Sequence, residues 1–162
     1  MSELPELPEL RDGTRVAAWL FKANPGVWDV LDALYAGASI DTWRLTRSYR
    51  TGLLVPGHPC VLWVTRDPAV SRTPGVFAVG RLTTAAYDDV GDPDDDRWFD
   101  RAAAREVRPH VGTDMEVLDP PITAEELRED PRWRGEEVFR APRMGSPLAV
   151  TSRAWSALLE RR

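Results

Sequence analysis

The sequence predicts an α+β fold, in which a small and mostly antiparallel β-barrel or curved sheet carries helices packed on its outside. Short apolar segments bounded by turn-forming residues are typical of buried strands, and several of them follow one another along the chain. Helical spacing is confined to a few short segments. The resulting order is strand, helix, several strands joined by short turns, helix, strand and helix. This order differs from the βαβ alternation of a dinucleotide-binding fold.

The predicted strands come from the apolar runs. They are expected at residues 16–21, 38–45, 60–65, 76–83, 98–111, 116–118 and 148–150. The alanines at 102–104 make the segment 98–111 ambiguous. A polar hairpin loop is expected at residues 66–75. In the strand that follows it, Gly80 indicates a bulge or a close approach of another backbone.

Four short helices are predicted, at residues 26–35, 123–128, 135–139 and 153–160. In the first of them, the apolar side chains fall on one side at helical spacing: Val27, Val30, Leu31 and Leu34. The second begins with a capping box from Thr123 to Glu126. The last is capped by Thr151 or Ser152.

The length of 162 residues is typical of a single domain, which we expect to cover residues 15–162. Residues 1–14 are expected to form a loose N-terminal tail, because the start of the chain is acidic, is interrupted by prolines and lacks the pattern of a secretory signal. No apolar run approaches the ~20 residues that span a bilayer, so no membrane partner is expected. The single cysteine, Cys60, excludes an internal disulfide, and the cytoplasm is the predicted location.

Charge is segregated along the chain. The net charge is −5, but Asp88–Asp100 alone contributes −6 from seven aspartates and one arginine, so the remainder carries +1. In contrast, the segment 42–66 has no carboxylate and contains Arg44, Arg47, Arg50 and Arg66. Such a segment can bind phosphates although the whole chain is acidic, because nearby charges act most strongly on a partner.

The first strand ends at the single lysine of the protein. Lys22 follows the apolar run Val16–Phe21, and Asn24-Pro25 ends the strand directly afterwards. Strand ends display polar groups to ligands from a rigid scaffold, so Lys22 and Asn24 are candidate binding residues. Trp43 and Tyr49 stand among the arginines of the basic segment and add aromatic surfaces to this candidate site.

The other tryptophans are expected to stabilise the fold. Trp19, Trp63 and Trp155 lie in apolar or periodic runs and are predicted core residues. Trp28 and Trp133 are also predicted to be packing residues.

Catalytic and metal-binding patterns are weak. His58 and His110 have no companion at ligand spacing, and Cys60 opens an apolar strand without a local histidine, so none of them is predicted to be catalytic. Residues 92–103 resemble the start of a calcium loop but lack its required glycine and closing glutamate. We therefore predict a solvated, mobile acidic loop, with no metal and no cofactor.

Five segments together resemble a known domain. In chain order they are W-L-F-K-A-N-P from Trp19, W-R-L-T-R-S-Y from Trp43, P-G-H-P-C-V-L-W-V from Pro56, P-G-V-F-A-V-G-R-L from Pro74 and V-T-S-R-A-W from Val150. From about residue 15 to residue 161 the chain resembles the EVE domain of the PUA-like superfamily, which is related to the YTH domains that bind N6-methyladenine in RNA. The resemblance implies a stand-alone EVE protein, whose PUA-like barrel holds one flipped, modified base in a pocket.

The resemblance also implies roles for particular residues. The strand end at Lys22, Ala23 and Asn24 would line the base pocket, with Ala23 standing where many relatives have a serine. Trp43 would stack on the base, and Trp98 would supply a second aromatic wall. Phosphate contacts are expected from four residues of the basic segment: Arg44, Arg47, Tyr49 and Arg50.

These observations predict a non-enzymatic reader of a modified base in nucleic acid, with 5-substituted cytosine in DNA as the first hypothesis. One alternative is a reader of N6-methyladenine-like modifications in RNA. A second is a PUA-like, ASCH-related hydrolase that uses Lys22 as nucleophile or base, which requires a lysine pKa lowered by burial and a nearby carboxylate. A third is a protein-interaction module, which requires a contiguous exposed apolar patch.

Overall fold

The computed structural model describes residues 5–65, 74–92 and 94–161. Within these residues there are seven strands: β1 (Ala18–Ala23), β2 (Thr42–Arg44), β3 (Pro59–Val64), β4 (Gly75–Leu82), β5 (Tyr87–Asp89), β6 (Arg108–Thr123) and β7 (Leu148–Val150). The helices are α1 (Val30–Tyr35), α2 (Arg101–Arg105), α3 (Ala124–Glu129), α4 (Glu137–Arg140) and α5 (Ser152–Glu160), with a 3₁₀ helix at Tyr49–Leu53. The hairpin loop predicted at 66–75 lies outside the described residues, apart from its last two.

The strands form one mixed sheet in the order β2–β6–β4–β3–β1–β7, and β5 also pairs with β6. Only the β1–β3 pair is parallel among the pairings of the described strands. The α+β class and the mostly antiparallel pairing are therefore confirmed. In the part of the chain that the structure describes, this order has two ends, so the sheet is open and does not close into a full barrel.

Strand β6 is 16 residues long and changes partners along its length. Its first part pairs with β2 and β5, and the part from Thr113 to Thr123 pairs with β4. A Cβ atom at Gly80 would collide with the carbonyl oxygen of Asp114, which confirms the predicted close approach. The shifts in strand register lie elsewhere, between Leu62 and Trp63 and within residues 76–78.

The strand predicted at 98–111 is confirmed only at residues 108–111, which belong to β6. Residues 101–105 form α2, whereas the sequence favoured a strand across 98–111. Alanine is the best helix former, and the Asp100 carboxylate accepts a hydrogen bond from the N–H of Ala103. The caps predicted elsewhere are confirmed, since Thr123 caps α3 and Thr151 caps α5.

The described part of the N-terminal segment is packed against the domain. Leu10 is only 3% exposed, and the N–H of Val16 donates to the carbonyl oxygen of Pro8. The imidazole of His58 also contacts the carbonyl oxygen of Glu6 at 3.0 Å. The expectation of a loose tail is therefore wrong for residues 5–14, because an apolar anchor and backbone hydrogen bonds hold them.

Most of the tryptophans lie in the apolar core or pack against it. Trp19 and Trp133 are fully buried, and the indole of Trp133 donates to the carbonyl oxygen of Ala154. Trp63 is buried, and Trp155 packs half-buried against the same apolar cluster. These four tryptophans are packing residues, as predicted.

Within the described residues, no helix has the length and apolar character needed to cross a membrane.

A buried ion pair joins the 3₁₀ helix, α4 and β7. The guanidinium of Arg50 binds both carboxylate oxygens of Glu137, at 2.7 and 2.8 Å, and Glu137 also accepts the N–H of Ala149 in β7. Both side chains are largely buried. Burial alone would raise the pKa of Glu137, but the hydrogen bonds from Arg50 and Ala149 outweigh it and hold the pKa below its usual value.

We expect Arg50→Met to lower the free energy of unfolding by about 3 kcal/mol or more, because it removes the buried two-point partner of Glu137 and leaves only the longer contact with the half-exposed Arg140 at 3.5 Å. Urea unfolding of the variant and the parent protein at neutral pH measures this loss.

The exposed pair between Arg47 and Asp88 supplies a matched control, since Arg47→Met should cost about 1 kcal/mol or less. The double variant Arg50→Met/Glu137→Leu should recover much of the loss. Because the pKa of Glu137 is lowered in the folded state, the pair stabilises the protein above the unfolded-state pKa, and this stabilisation is lost as the pH falls through the folded-state pKa. Equal costs for Arg50→Met and Arg47→Met would show that the buried pair is unimportant.

Candidate functional site

A cavity of about 490 Å³ opens where β1 ends and β2, β5 and the start of β6 lie side by side. Five residues singled out from the sequence line this one cavity: Lys22, Ala23, Asn24, Trp43 and Trp98. They belong to three separate segments of the chain, which lie together here: the end of β1, the strand β2 and the acidic loop after β5. The volume is in the range typical of small-ligand sites.

The sheet supplies the polar wall of the cavity. His110 in β6 lies between Arg44 of β2 and Tyr87 of β5 in the strand register, and all three line the cavity. Directly opposite residues of paired strands project from the same face, so these side chains form a row. Arg108 and Asp89 form a second opposite pair on this wall.

Three half-buried tryptophans supply the aromatic walls. Trp28 and Trp43 meet edge to face, with ring centroids 6.0 Å apart and planes at 81°. Trp28 forms an isolated antiparallel bridge with Trp98, and the three indoles line the same cavity. Trp28 packs against the core, as predicted, and it also lines the cavity, which the sequence did not indicate.

The acidic loop is built into the site. The indole N–H of Trp28 donates to Asp95 Oδ2 at 2.8 Å, while Asp95 Oδ1 accepts the backbone N–H of Arg97 at 3.0 Å. Backbone hydrogen bonds also tie the loop to the turn before α1, from Asp29 to the Arg97 carbonyl and from Phe99 to the Val27 carbonyl. Asp96 and Phe99 in this loop are exposed, as predicted, but these hydrogen bonds hold residues 95–99 in place, and Asp95 orients one aromatic wall.

Trp98 is clamped from two sides. The guanidinium carbon of Arg44 lies 5.3 Å from the centroid of the Trp98 ring, and Arg44 also donates to the carbonyl oxygen of Ala103. On another side the Trp98 ring rests on Gly91, where a Cβ atom would lie 2.6 Å from the indole. Burial lowers the pKa of Arg44, and the positive charge of Arg108 lowers it further. Arg44 thus supports the aromatic wall, a role that differs from the predicted phosphate contact.

Lys22 fixes the third side of the cavity. Its ammonium donates to the carbonyl oxygens of Pro142 and Met144, at 2.8 and 3.1 Å, and its backbone N–H donates to Ser146 Oγ. Burial lowers the pKa of Lys22. Among the described residues, however, no carboxylate lies within ion-pair distance of it. The geometry makes Lys22 a brace for residues 142–146, and it lacks the carboxylate that the hydrolase alternative requires.

Asn24 both forms the turn and faces the cavity. Its side-chain oxygen accepts the N–H of Gly26, and its carbonyl oxygen accepts the N–H groups of Val27 and Trp28. The side chain is exposed, and its amide nitrogen makes no hydrogen bond within the part of the chain that the structure describes. Asn24 therefore has a donor to offer to a ligand.

The predicted phosphate-binding segment does not form one basic face. Arg50 is held in the buried pair with Glu137, so its prediction as a phosphate contact is wrong. Tyr49 lies under Arg11, 3.9 Å from ring centroid to guanidinium carbon, and its hydroxyl accepts the N–H of Arg11. Arg47 is 63% exposed and pairs with Asp88 at the surface, which leaves it accessible to a partner.

His58 and Cys60 both lie in the core. His58 is fully buried and its Nδ1 accepts the indole N–H of Trp19. Burial raises the pKa of the Cys60 thiol to about 12, so it is not an activated nucleophile. In the described ranges, no group of histidine, cysteine, aspartate or glutamate side chains is arranged to hold a metal ion.

Sequence reasoning missed Trp28 and Asp95. Trp28 precedes α1, so helical spacing gave no signal of the direction in which it faces. No signal distinguished Asp95 from its neighbours in the aspartate-rich loop, since its role depends on a residue 67 positions earlier in the chain.

The chain belongs to the EVE-domain family, whose model matches residues 17–161. Solved structures share the fold at low identity. A hypothetical protein from Leishmania major is 18% identical with a TM-score of 0.62, over 90% of this chain and 94% of that one. A protein from Pseudomonas putida is 20% identical with a TM-score of 0.63, over 89% and 98%.

Human THYN1, solved in complex with DNA containing 5-methylcytosine, is 16% identical with a TM-score of 0.60, over 89% of this chain and 96% of that chain. No curated protein matches the sequence significantly.

We expect Asp95→Ala to lower the free energy of unfolding by about 1 kcal/mol, because the indole N–H of Trp28 and the backbone N–H of Arg97 lose their acceptor. The indole N–H of Trp28 should also exchange with solvent faster. Urea unfolding and NMR hydrogen exchange measure the two effects. Asp94→Ala is the matched control, since the Asp94 side chain is exposed and should change stability by about 0.5 kcal/mol or less. Unchanged exchange at Trp28 in Asp95→Ala would contradict the positioning role.

Proposed function

We propose that this protein is a non-enzymatic reader that binds one flipped, modified nucleobase, namely a 5-substituted cytosine in DNA. The observation that carries the proposal is the cavity walled by Trp28, Trp43 and Trp98. Two facts support it: membership of the EVE-domain family, and the likeness in fold to THYN1, which was solved with DNA containing 5-methylcytosine.

Stacking energy is sufficient for such a reader. Extracting a base from its stack costs a few kcal/mol, and stacking on one aromatic side chain returns roughly 1–3 kcal/mol. One indole about balances the cost, whereas contacts with two or three indoles exceed it. A methyl group on the base adds about 25 cal/mol for each Å² of apolar area that it buries against these walls.

The polar groups of the cavity favour binding over reaction. Lys22 is occupied by two backbone carbonyl oxygens, and Asp95 by the indole of Trp28. Asp95 also lies 3.9 Å from the guanidinium of Arg97, which is a cation and not a base that could activate a nucleophile. We therefore assign the cavity to recognition.

Phosphate contacts contribute little in this proposal. Arg44 is half-buried against Trp98, Arg108 pairs with Glu106, and the acidic loop forms one rim of the cavity. The exposed Arg47 remains as a candidate phosphate contact. We therefore expect affinity to depend mainly on the base and only weakly on salt.

Replacing Trp28, Trp43 or Trp98 by alanine should weaken binding of an oligonucleotide with one 5-methylcytosine by roughly 1–3 kcal/mol each, because each variant removes a stacking surface. Fluorescence anisotropy with labelled DNA measures the change. The same panel includes unmodified DNA and RNA with N6-methyladenine.

Trp155→Ala is the matched control, because Trp155 is also half-buried but packs against the core away from the cavity. It should leave affinity unchanged. Three results would contradict the proposal: equal affinity for modified and unmodified DNA, tighter binding of the methylated RNA, or recovery of DNA from which the base has been released or altered. Gross unfolding of Trp43→Ala would assign Trp43 to the core.

Arg47→Ala should reduce the slope of log affinity against log salt concentration by about one, because it removes one phosphate contact. Titrations at low and physiological ionic strength measure the slope. Arg153→Ala, a change on α5 beside Thr14 and Arg15, serves as the control and should leave the slope unchanged. An unchanged slope in Arg47→Ala would show that Arg47 does not meet the DNA backbone.

A further inference from the structure

His110 occupies the centre of the polar wall, and the stacking contacts proposed above do not use it. It is 6% exposed and lies between Arg44 and Tyr87 in the strand register. The Tyr87 ring stacks on the imidazole, with centroids 6.2 Å apart and planes at 27°. The ring of His110 is therefore held in one orientation at the surface of the cavity.

A hydrogen bond to the backbone fixes the tautomer of His110. Its Nδ1 lies 2.9 Å from the carbonyl oxygen of Arg108. A carbonyl oxygen only accepts, so Nδ1 carries the hydrogen in this bond, and Nε2 of the neutral ring is then an acceptor. The backbone thus decides which kind of hydrogen bond His110 can offer to a ligand.

Nε2 of His110 is open to a ligand. It makes no hydrogen bond within the described residues, and among them no buried side-chain nitrogen or oxygen lacks a partner. Nε2 is therefore not sealed inside the protein, and the surface that His110 lines is the cavity. An acceptor at this position pairs with an N–H group and repels a carbonyl oxygen.

We infer that Nε2 of His110 accepts a hydrogen bond from the exocyclic amino group of the bound base, and so selects an amino-bearing base such as cytosine. This inference rests on the proposed function. Asn24 lines the same cavity, and its free side-chain NH₂ group is the complementary donor for the ring nitrogen beside that amino group. Thymine and uracil present a carbonyl oxygen where cytosine has the amino group, and the pair Asn24–His110 disfavours them.

The test removes the hydrogen bond first by changing the base and then by changing the protein. One DNA oligonucleotide carries a single 5-methylcytosine, and a second carries the same base without its 4-amino group. The parent protein should bind the second about tenfold more weakly, because Nε2 is left without a donor. His110→Phe keeps a ring to stack on Tyr87 but has no acceptor. It should bind 5-methylcytosine about tenfold more weakly than the parent and should not distinguish the two oligonucleotides.

His110→Gln is the rescue variant, because its amide oxygen can accept the same hydrogen bond and should restore part of the discrimination. Thermal unfolding reports whether the variants fold. If His110→Phe does not fold, the parent protein and His110→Gln decide the question. Equal binding of both oligonucleotides by the parent, or discrimination retained by His110→Phe, overturns the role of His110 and leaves the reader function intact. Failure of the parent to prefer 5-methylcytosine over unmodified DNA overturns the reader function itself.

Discussion

The change of partners along β6 is the constraint on which the site depends. The strand pairs with β2 and β5 at its start and with β4 from Thr113 onward. One continuous strand therefore forms part of the pocket wall and part of the core. The change requires the chain to pass very close to its neighbours at Gly112, where a Cβ atom would collide with Thr83. The N–H of Gly112 donates to Oγ1 of Thr84 and that of Thr113 to the carbonyl oxygen of Asp41, so both N–H groups at this point are hydrogen-bonded. Arg44, Tyr87 and His110 come into one row because β2 and β5 both pair with β6 at His110.

The pocket owes its shape to charged groups that act on neighbouring protein groups. Asp95 holds the indole of Trp28, Arg44 lies over Trp98, and Lys22 braces residues 142–146. Each charge lies in a half-buried position where leaving it unpaired would be costly, so each has a defined partner. The consequence is a rigid aromatic cavity with few free cations, which suits recognition of a base more than capture of a polyanionic backbone.

The family resemblance and the geometry contribute different parts of the functional argument. Likeness to structures at 16–20% identity concerns the fold, and the match over residues 17–161 places the chain in the EVE-domain family. The choice of groups that face a ligand is a property of this chain. Ala23 is buried and brings no hydroxyl to the cavity, so our proposal assigns polar recognition to Asn24 and to the histidine of β6.

The sequence by itself determined the elements whose signals are local. The first strand, which carries Lys22 near its end, the caps at Thr123 and Thr151, and the strand at 148–150 depend on periodicity and turn chemistry within a few residues. The sequence also placed Trp43 and Asn24 in one candidate site, through the resemblance of short motifs. Only the tertiary structure decided which charges are free. Arg50 and Arg47 look alike in sequence, but Glu137, 87 positions after Arg50, buries one of them while the other stays at the surface. Asp95 differs from the aspartates around it for the same reason, because its partner is brought near by the fold and not by the chain.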